Sequence, residues 1–418
     1  MMSSTRLLER CSILLGVSLL TLSLDTMAQS IHTVCSGDCD FASIQNAVNA
    51  AVSGDTIQLG AETFFENVCV VGPGPGLFVL TIRGLGTDAT VVDGLGQNLP
   101  VFGINDGRGH CGGSGDATLL LYDMTIQNSA ACGILASGPP RCNGFGCPTY
   151  SSSVEVWNGL IRDNGCGIAN RYGASVAIST TTISGNNNDG IASQGRYSWG
   201  IHDSTINGNG GYGIRMEGDG FPVTNSTVSG NGAGVGLFTG GIVVPISQTT
   251  IAGNLGPGLL NETTPSSPSY FEVAGSIVAN NLTDNCWELS QGHNLSSDSC
   301  SDTLPTDLIV TDPQLLPLAD NGGPTFTHAL AMDSFATDGG GLDCVATDQR
   351  GLPRPQDGDG DGVAKCDIGA FELQATGKVC ICHYPPGRRS KPEEICVGSK
   401  AARAHLERHS DTLGNCPL

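Results

Sequence analysis

Three short loops contain the residues best suited to chemistry. They are "NRYGA" (residues 170–174), "SQGRYSW" (193–199) and "RMEGDGF" (215–221). Aromatic faces can stack on sugar rings, and guanidinium groups can hold the carboxylates of uronate sugars. The loops therefore predict a carbohydrate-binding site, whose candidate ligand-binding residues are Arg171, Tyr172, Arg196, Tyr197, Trp199 and Arg215.

The same loops contain candidate catalytic residues. A glycosidase needs two carboxyl groups that flank the scissile bond, whereas a lyase uses a base such as arginine beside a cation. Glu217, Asp219 and Arg196 fit these roles. Only Glu217 and Asp219 supply carboxylates, and they lie close together in one loop. Decoration of one edge of the fold by non-functional loops is therefore the competing interpretation.

The acidic stretch "DGDGDG" resembles the start of a calcium-binding loop. Asp357, Asp359 and Asp361 occupy positions 1, 3 and 5 of such a loop, where alternate carboxylates can converge on one hard cation. Position 12 is Ile368 rather than a glutamate, and Asp367 at position 11 is a partial substitute. The sequence leaves two alternatives, a structural calcium site and a solvated acidic turn.

A repeat of 22 to 23 residues must position these loops. It is marked by Asn164, Asn186, Asn209, Asn231 and Asn254, each followed by a glycine–aliphatic pair. This period, rich in β-branched residues, asparagine and glycine, fits one turn of a parallel β-helix, with rungs about 4.8 Å apart. We predict an all-β, right-handed parallel β-helix of about ten to twelve rungs over residues 56–330.

The repeated residues have structural roles in this fold. Ile183, Ile206, Val228 and Ile251 should point inward and form a continuous apolar column. The asparagines should stack at a bend, with their side-chain amides bonded from rung to rung. The repeat itself therefore serves architecture rather than chemistry.

The segment before the repeat should cover the open end of the stack, which would otherwise invite edge pairing. Asp40 can cap a helix that places Phe41, Ile44, Ala47, Val48 and Ala51 on one face. Residues 29–55 are therefore the predicted N-terminal cap.

The N-terminus and the charge indicate an exported protein. Residues 1–28 combine two arginines, an apolar run and a small-x-small cleavage site, as in a signal peptide. The formal charge of −21 excludes nucleic acid and anionic membranes as partners, and no later segment is apolar enough to span a membrane. We expect a secreted or cell-surface location. The oligomeric state stays open.

Several motifs together resemble a known group. The stretch "SIQNAVNAAVSGDTIQL", followed by "TIRGLGTDATVVDG", resembles secreted β-helices of the pectate-lyase-like superfamily. The blocks "DPQLLPLADNGGPTFTHALAMDSFATDGG" and "DQRGLPRPQDGDGDGVAKCDIGAFE" resemble the bacterial choice-of-anchor Q domain. The resemblance covers most of residues 35–373 and implies the fold more firmly than a reaction. Residues 331–375 form the predicted closing segment.

Cysteines in an exported chain favour disulfides. Cys35 with Cys39, Cys286 with Cys300, and Cys344 with Cys366 are plausible local bridges, and a further disulfide-pinned loop is expected between Cys111 and Cys166. Residues 376–418 form a separate small module. The module contains four cysteines and two histidines, which could bind zinc; the four cysteines could instead form two disulfides. These residues are Cys380, Cys382, Cys396, Cys416, His405 and His409.

Two functions remain open at this point. The first is a non-catalytic exported scaffold that presents its loops to a glycan, matrix or cell-surface partner. The alternative is a polysaccharide lyase or glycoside hydrolase, although the paired aspartates and Gly-His-Gly motif of polygalacturonases are missing. The Gln-Asp and Arg-Pro-Trp motifs of pectin methylesterases are also missing, which favours the scaffold.

Overall fold

The structure is a computed structural model. It describes residues 29–74, 76–105, 111–112, 115–138, 152–195, 199–331, 333–374, 379–384, 393–397, 405 and 412–413. The predicted signal peptide, residues 1–28, lies outside the described residues.

Three parallel sheets form the body of the molecule. Sheet A contains β1 (Ile31–Val34), β2 (Thr56–Leu59), β5 (Leu77–Arg83), β8 (Asp116–Tyr122), β11 (Ser152–Trp157), β14 (Ser175–Ser179), β17 (Gly200–His202), β20 (Val223–Thr224), β23 (Val243–Ser247), β26 (Tyr270–Ala274) and β28 (Leu289–Gly292). Sheet B contains β3 (Thr63–Phe65), β6 (Val91–Asp93), β9 (Thr125–Gln127), β12 (Leu160–Arg162), β15 (Thr182–Ser184), β18 (Thr205–Asn207), β21 (Thr227–Ser229), β24 (Thr250–Ala252), β27 (Ile277–Ala279), β29 (Leu295–Ser296) and β30 (Leu308–Ile309). Sheet C contains β4 (Val68–Val70), β7 (Phe102–Ile104), β10 (Cys132–Ser137), β13 (Cys166–Arg171), β16 (Ile191–Ser193), β19 (Tyr212–Met216), β22 (Ala233–Leu237) and β25 (Leu259–Asn261).

The chain passes from sheet A to sheet B to sheet C and then begins the next rung. Each strand pairs in parallel with the strand one turn later, so that Ile183 aligns with Ile206 and Ile206 with Val228. The predicted all-β, right-handed parallel β-helix is confirmed. Eleven strands in sheet A and eleven in sheet B agree with the expected number of rungs.

The predicted apolar column and asparagine ladder are both present. Ile206, like its neighbours in the column, has no exposed surface. Asn209 donates from Nδ2 to Asn231 Oδ1 (2.9 Å) and accepts the Nδ2 group of Asn186 (2.8 Å). Asn254 continues the ladder to Asn281 (2.7 Å). Each amide therefore satisfies buried polar groups of two neighbouring rungs.

One helix covers the first rung. Helix α1 (Ile44–Ala50) buries Ile44, Ala47 and Val48, as the apolar pattern predicts. The expected cap was wrong by three residues: Ser43 is the N-cap and accepts from the Asn46 amide. The Asp40 carboxylate instead accepts from the Thr33 amide and hydroxyl, 2.8 Å each, because the chain turns back beside β1 before the helix begins.

The closing segment folds back along sheet B. A hairpin of β31 (Leu315–Ala319) and β32 (Thr327–Leu330) leads into this segment, which was predicted as residues 331–375 and is described to residue 374. Gln349 lies at its centre, where Nε2 donates to the Thr205 hydroxyl and to the Phe326 carbonyl, and Oε1 accepts from the Thr227 hydroxyl. Through these contacts the closing segment covers part of the outer face of sheet B.

Disulfides occur in both the N-terminal and the C-terminal parts of the described chain. The three local bridges expected from the sequence are present, and two more join Cys69 to Cys111 and Cys132 to Cys166. In the C-terminal module, β33 (Val379–His383), β34 (Glu393–Val397) and β35 (Thr412–Leu413) form an antiparallel sheet in which Cys382 is disulfide-bonded. Among the described residues, no helix is long and apolar enough to cross a membrane.

Candidate functional site

The predicted loop residues that the structure describes lie on two different sheets. Arg171 ends β13, and Tyr172 follows it in a turn with about half of its side chain exposed. Arg215 lies on β19 in sheet C, whereas Trp199 lies directly before β17 in sheet A. Arg196 and Tyr197 lie outside the described residues.

The outer face of sheet C carries a compact group of charges. Arg215 forms an ion pair with Glu217, lies 4.0 Å from Asp189, and stacks over the Phe238 ring at 5.0 Å. Gln194 donates to Glu217 at 2.5 Å. Burial raises the pKa of Asp189. Arg215 and Glu217 therefore pair with one another, whereas the buried Nε of Arg215 has no hydrogen-bond partner among the described atoms. Asp219 follows in the turn, where its amide donates to the Gly195 carbonyl at 3.1 Å.

The outer face of sheet A contains a groove, which we call the sheet A groove. It has a volume of about 510 Å³, and its described lining consists of Glu155, Trp157, Ala177, Ile178, Ser179, Trp199, Gly200, His202, Asp203, Thr224, Asn225, Val345 and Thr347. The pairing explains the depression, because Glu155, Ala177 and Gly200 occupy the same register position in three successive rungs. The side chains shorten from rung to rung and leave the floor open.

Two tryptophans border the sheet A groove. Trp157 ends β11 with 40% of its surface exposed, and Trp199 is 71% exposed while its amide donates to the Val176 carbonyl at 3.1 Å. Trp157 also stacks on Tyr122 of the preceding rung, with ring centroids 6.4 Å apart, and Arg83 lies over the Tyr122 ring at 4.8 Å. Large exposed aromatic faces held in place by the backbone are suited to sugar rings.

Polar groups complete the floor of the groove. Glu155 and His202 face outward from the sheet, and Asp203 follows in the turn with a φ of 53°. Asp203 Oδ1 accepts from Asn225 Nδ2 at 2.6 Å, and burial raises the pKa of Asp203 above its ordinary value. Carboxylates and an imidazole therefore line the groove beside the aromatic rings.

The closing segment supplies the opposite wall. Val345 and Thr347 line the groove, and the Thr347 carbonyl accepts from Asn225 Nδ2 at 3.1 Å. The disulfide between Cys344 and Cys366 holds this part of the segment. The groove thus forms only because distant parts of the chain meet.

Sequence inspection identified Trp199 but missed Glu155, Trp157, His202 and Asp203. Glu155 and Trp157 precede His202 and Asp203 by 45 to 48 residues, which is about two repeat periods, and the four residues differ in type. The signal in the sequence is alternation: in "SSVEVW" every second residue faces outward, and the outward positions end in glutamate and tryptophan. Aligning each sheet A strand by the period would have placed them together.

The acidic loop brings together a different set of aspartates from the one predicted. The carboxylate oxygens of Asp338, Asp357 and Asp359 lie within 4.8 Å of one another. Asp361 instead accepts from the Val363 amide (2.7 Å), and buried Asp367 accepts from the Asp338 and Leu373 amides. Burial, aided by the charge of Glu372, raises the pKa of Asp367 to about 8. Asp338 was missed because it lies 19 residues before Asp357 in the sequence.

Comparisons with known proteins agree with the architecture. A family model described as "Right handed beta helix region" matches residues 110–255. The structure of pectate lyase Pel9A has a TM-score of 0.55 and 13% identity, covering 83% of this chain and 97% of that chain. The chain has the pectate-lyase-like fold. None of the curated protein sequences shows significant similarity to it.

Two further solved structures are less similar and have names that refer to mannuronan or mannuronic acid. The A-module of the Azotobacter vinelandii mannuronan C-5 epimerase AlgE4 has a TM-score of 0.39 and 16% identity, covering 62% of this chain and 69% of that chain. A mannuronic acid-specific polysaccharide family 6 lyase from human gut microbiota has a TM-score of 0.28 and 13% identity, covering 66% and 83%. Identities this low bear on fold alone.

Proposed function

We propose that this protein is an exported, non-catalytic scaffold that binds a polysaccharide in the sheet A groove. The observation that carries the proposal is the pair of exposed tryptophans, Trp157 and Trp199, beside a groove whose floor carries Glu155, His202 and Asp203. Sugars are recognised by this combination of flat apolar rings and nearby polar groups. The five described disulfide pairs support an oxidising, extracellular location.

The spacing of the carboxylates favours binding over hydrolysis. Glu155 aligns with Ala177, which aligns with Gly200, so Glu155 and Asp203 stand two rungs apart. Two strand spacings are about 9.6 Å along the axis alone. Glycosidases place their two carboxyl groups roughly 5 to 9.5 Å apart on either side of one bond. The groove therefore fits a ligand that extends over several rungs better than a two-carboxylate reaction centre.

One observation supports the enzymatic alternative. Asp203 has a raised pKa because of burial, and His202 lies beside it in the same groove. Adjacent groups that can donate and accept protons are typical of acid–base catalysis. A polysaccharide-acting enzyme is therefore the second candidate, with Asp203 and His202 rather than Glu217 and Asp219 as its reacting groups.

Binding and turnover can be measured on the same variants. We expect Trp157→Ala combined with Trp199→Ala to lower affinity for the bound polysaccharide by about tenfold or more, because each ring loses its stacking contact. Phe65→Ala is the matched control, since Phe65 is also an exposed aromatic residue but lies on β3 in sheet B. Affinity electrophoresis against neutral, acidic and amino-bearing polysaccharides supplies the readout.

Unchanged binding by the double variant, together with unchanged binding by the control, would contradict the proposed site. Release of reducing or unsaturated ends by the wild-type protein would establish the enzymatic alternative. In that case His202→Gln should abolish product release while binding persists, because the imidazole would move the proton.

A further inference from the structure

The outer face of sheet A is also open beyond the sheet A groove, toward the C-terminal end of the stack. A second depression, of about 350 Å³, is lined by Gln248, Ala274, Gly275, Gln291, Gly292, His293, Gly340, Leu342 and Asp343. The strand pairing places it on the next rungs, because Thr224 aligns with Ser247 and Ser247 with Ala274. Residues 340–347 of the closing segment border both depressions.

The two depressions suit one linear ligand. Together they extend from β11 to β28, which are seven successive strands of sheet A. Six strand spacings correspond to about 29 Å along the helix axis. A chain of several sugar residues that lies parallel to the axis would contact both depressions.

The charges that line this surface have one sign. Glu155 and Asp203 line the first depression and Asp343 lines the second, whereas no lysine or arginine lines either depression in the described part of the chain. Glu272 also faces outward from sheet A, where its Oε1 accepts from Gln291 Nε2 at 2.8 Å. The chain as a whole carries a formal charge of −21. A uronate polymer would meet repulsion at these carboxylates, whereas ammonium groups would find acceptors there.

We infer that the ligand of the sheet A groove is a linear polysaccharide whose sugars carry free amino groups. The inference rests on the proposed function and adds the class of sugar. Stacking on Trp157 and Trp199 holds the rings, and carboxylates spaced along the stack accept hydrogen bonds from the ammonium groups. Charge-assisted hydrogen bonds of this kind are about twice as strong as neutral ones. The ligand therefore differs from the uronate polymers named for the proteins of similar fold.

The test compares three hexasaccharides of equal length by calorimetry: a glucosamine oligomer, its N-acetylated form and a galacturonate oligomer. At mildly acidic pH, where the amino groups are protonated, we expect the glucosamine oligomer to bind at least about tenfold more tightly than the galacturonate oligomer. Its affinity should decrease with added salt, since screening weakens attraction between opposite charges.

Variants assign the selectivity to named groups. Glu155→Gln combined with Asp203→Asn should reduce affinity for the glucosamine oligomer by about tenfold and leave the N-acetylated oligomer nearly unchanged. Asp343→Asn tests the second depression alone, so the inference remains testable if the double variant melts abnormally. Arg196→Ala is included because Arg196, which lies outside the described residues, would favour an anionic ligand.

Each outcome bears on one proposal. Galacturonate binding as tight as glucosamine binding would overturn the amino-sugar inference while leaving polysaccharide binding intact. Galacturonate binding tighter than glucosamine binding, if Arg196→Ala removes it, would also overturn the inference, in favour of the arginine-based recognition expected from the sequence. Absence of binding to every oligosaccharide and polysaccharide tested would overturn the proposed function itself.

Discussion

At the scale of single residues, the buried asparagines show most directly how a polar side chain stabilises the stack. Asn209 is 2% exposed and bonds to Asn186, Asn231 and the Ile183 carbonyl. Asn209→Ala would remove these bonds and would also remove the acceptor of the Asn186 main-chain amide, which donates to Asn209 Oδ1 at 3.1 Å. Each buried group left unsatisfied costs about 1–3 kcal/mol. We expect the free energy of unfolding to fall by about 3 kcal/mol or more, measured by denaturant titration.

Asn187→Ala is the matched control, because Asn187 lies in the equivalent bend of the preceding rung but is exposed. Its effect should stay within about 0.5 kcal/mol. Equal effects of the two substitutions would contradict a stabilising role for the ladder.

The same residues show what the sequence could predict. Asn209 and Ile206 recur in type at every period because each rung makes the same buried contact, so repetition revealed both. The groove could not be found this way. Tyr122, Trp157, Ser179 and His202 share one register position on sheet A but differ in type. Function uses the outward positions, which the fold leaves free to vary.

At the scale of elements, strand β32 gives a pH-dependent contact. His328 Nε2 forms a hydrogen bond with the Ser229 hydroxyl (2.8 Å), and His328 Nδ1 forms one with the Leu316 carbonyl (2.7 Å). Burial lowers the pKa of His328 below the unfolded value of 6.5. The unfolded chain therefore binds more protons at acidic pH, so this contribution to stability is complete above about pH 6.5 and decreases below it.

We expect the melting temperature to fall between about pH 7.5 and about pH 5.5, and His328→Gln to reduce that fall. His202→Gln is the control, since His202 is exposed on the sheet A groove and should leave the acid sensitivity unchanged. An identical pH profile for His328→Gln and wild type would argue against this origin of the effect.

The acidic loop makes the calcium prediction more specific than the sequence allowed. If a calcium ion binds, the structure favours Asp338, Asp357 and Asp359 as its ligands, and the buried Oδ1 of Asp357 has no hydrogen-bond partner among the described atoms. Added calcium should then raise the melting temperature, because a ligand that binds only the folded state stabilises it. Asp338→Asn should remove this response, and Asp361→Asn should not. Equal melting with calcium and with a chelator would leave a solvated acidic turn.

At the scale of the whole molecule, the outer faces of sheet A and sheet B have different roles. The closing segment covers sheet B and also forms one wall of the groove on sheet A. Stability and ligand binding should therefore be coupled through this segment. Gln349 is the residue at which the coupling can be tested, because it joins the segment to β18 and β21 while Thr347, two residues away, contacts Asn225 in the groove.

Gln349→Ala removes one acceptor and three donated hydrogen bonds, among them one to the Thr325 hydroxyl at 2.9 Å. We expect it to destabilise the protein by about 3 kcal/mol, since buried partners lose their bonds. Because the groove wall is then held less firmly, polysaccharide affinity should fall as well, although Gln349 does not line the groove. Gln356→Ala is the control, because its side chain bonds only to the neighbouring Pro353 and Pro355 carbonyls. Calorimetry measures polysaccharide affinity and thermal melting measures stability for both variants. Lower stability with wild-type affinity in Gln349→Ala would mean that the closing segment stabilises sheet B but does not shape the binding site.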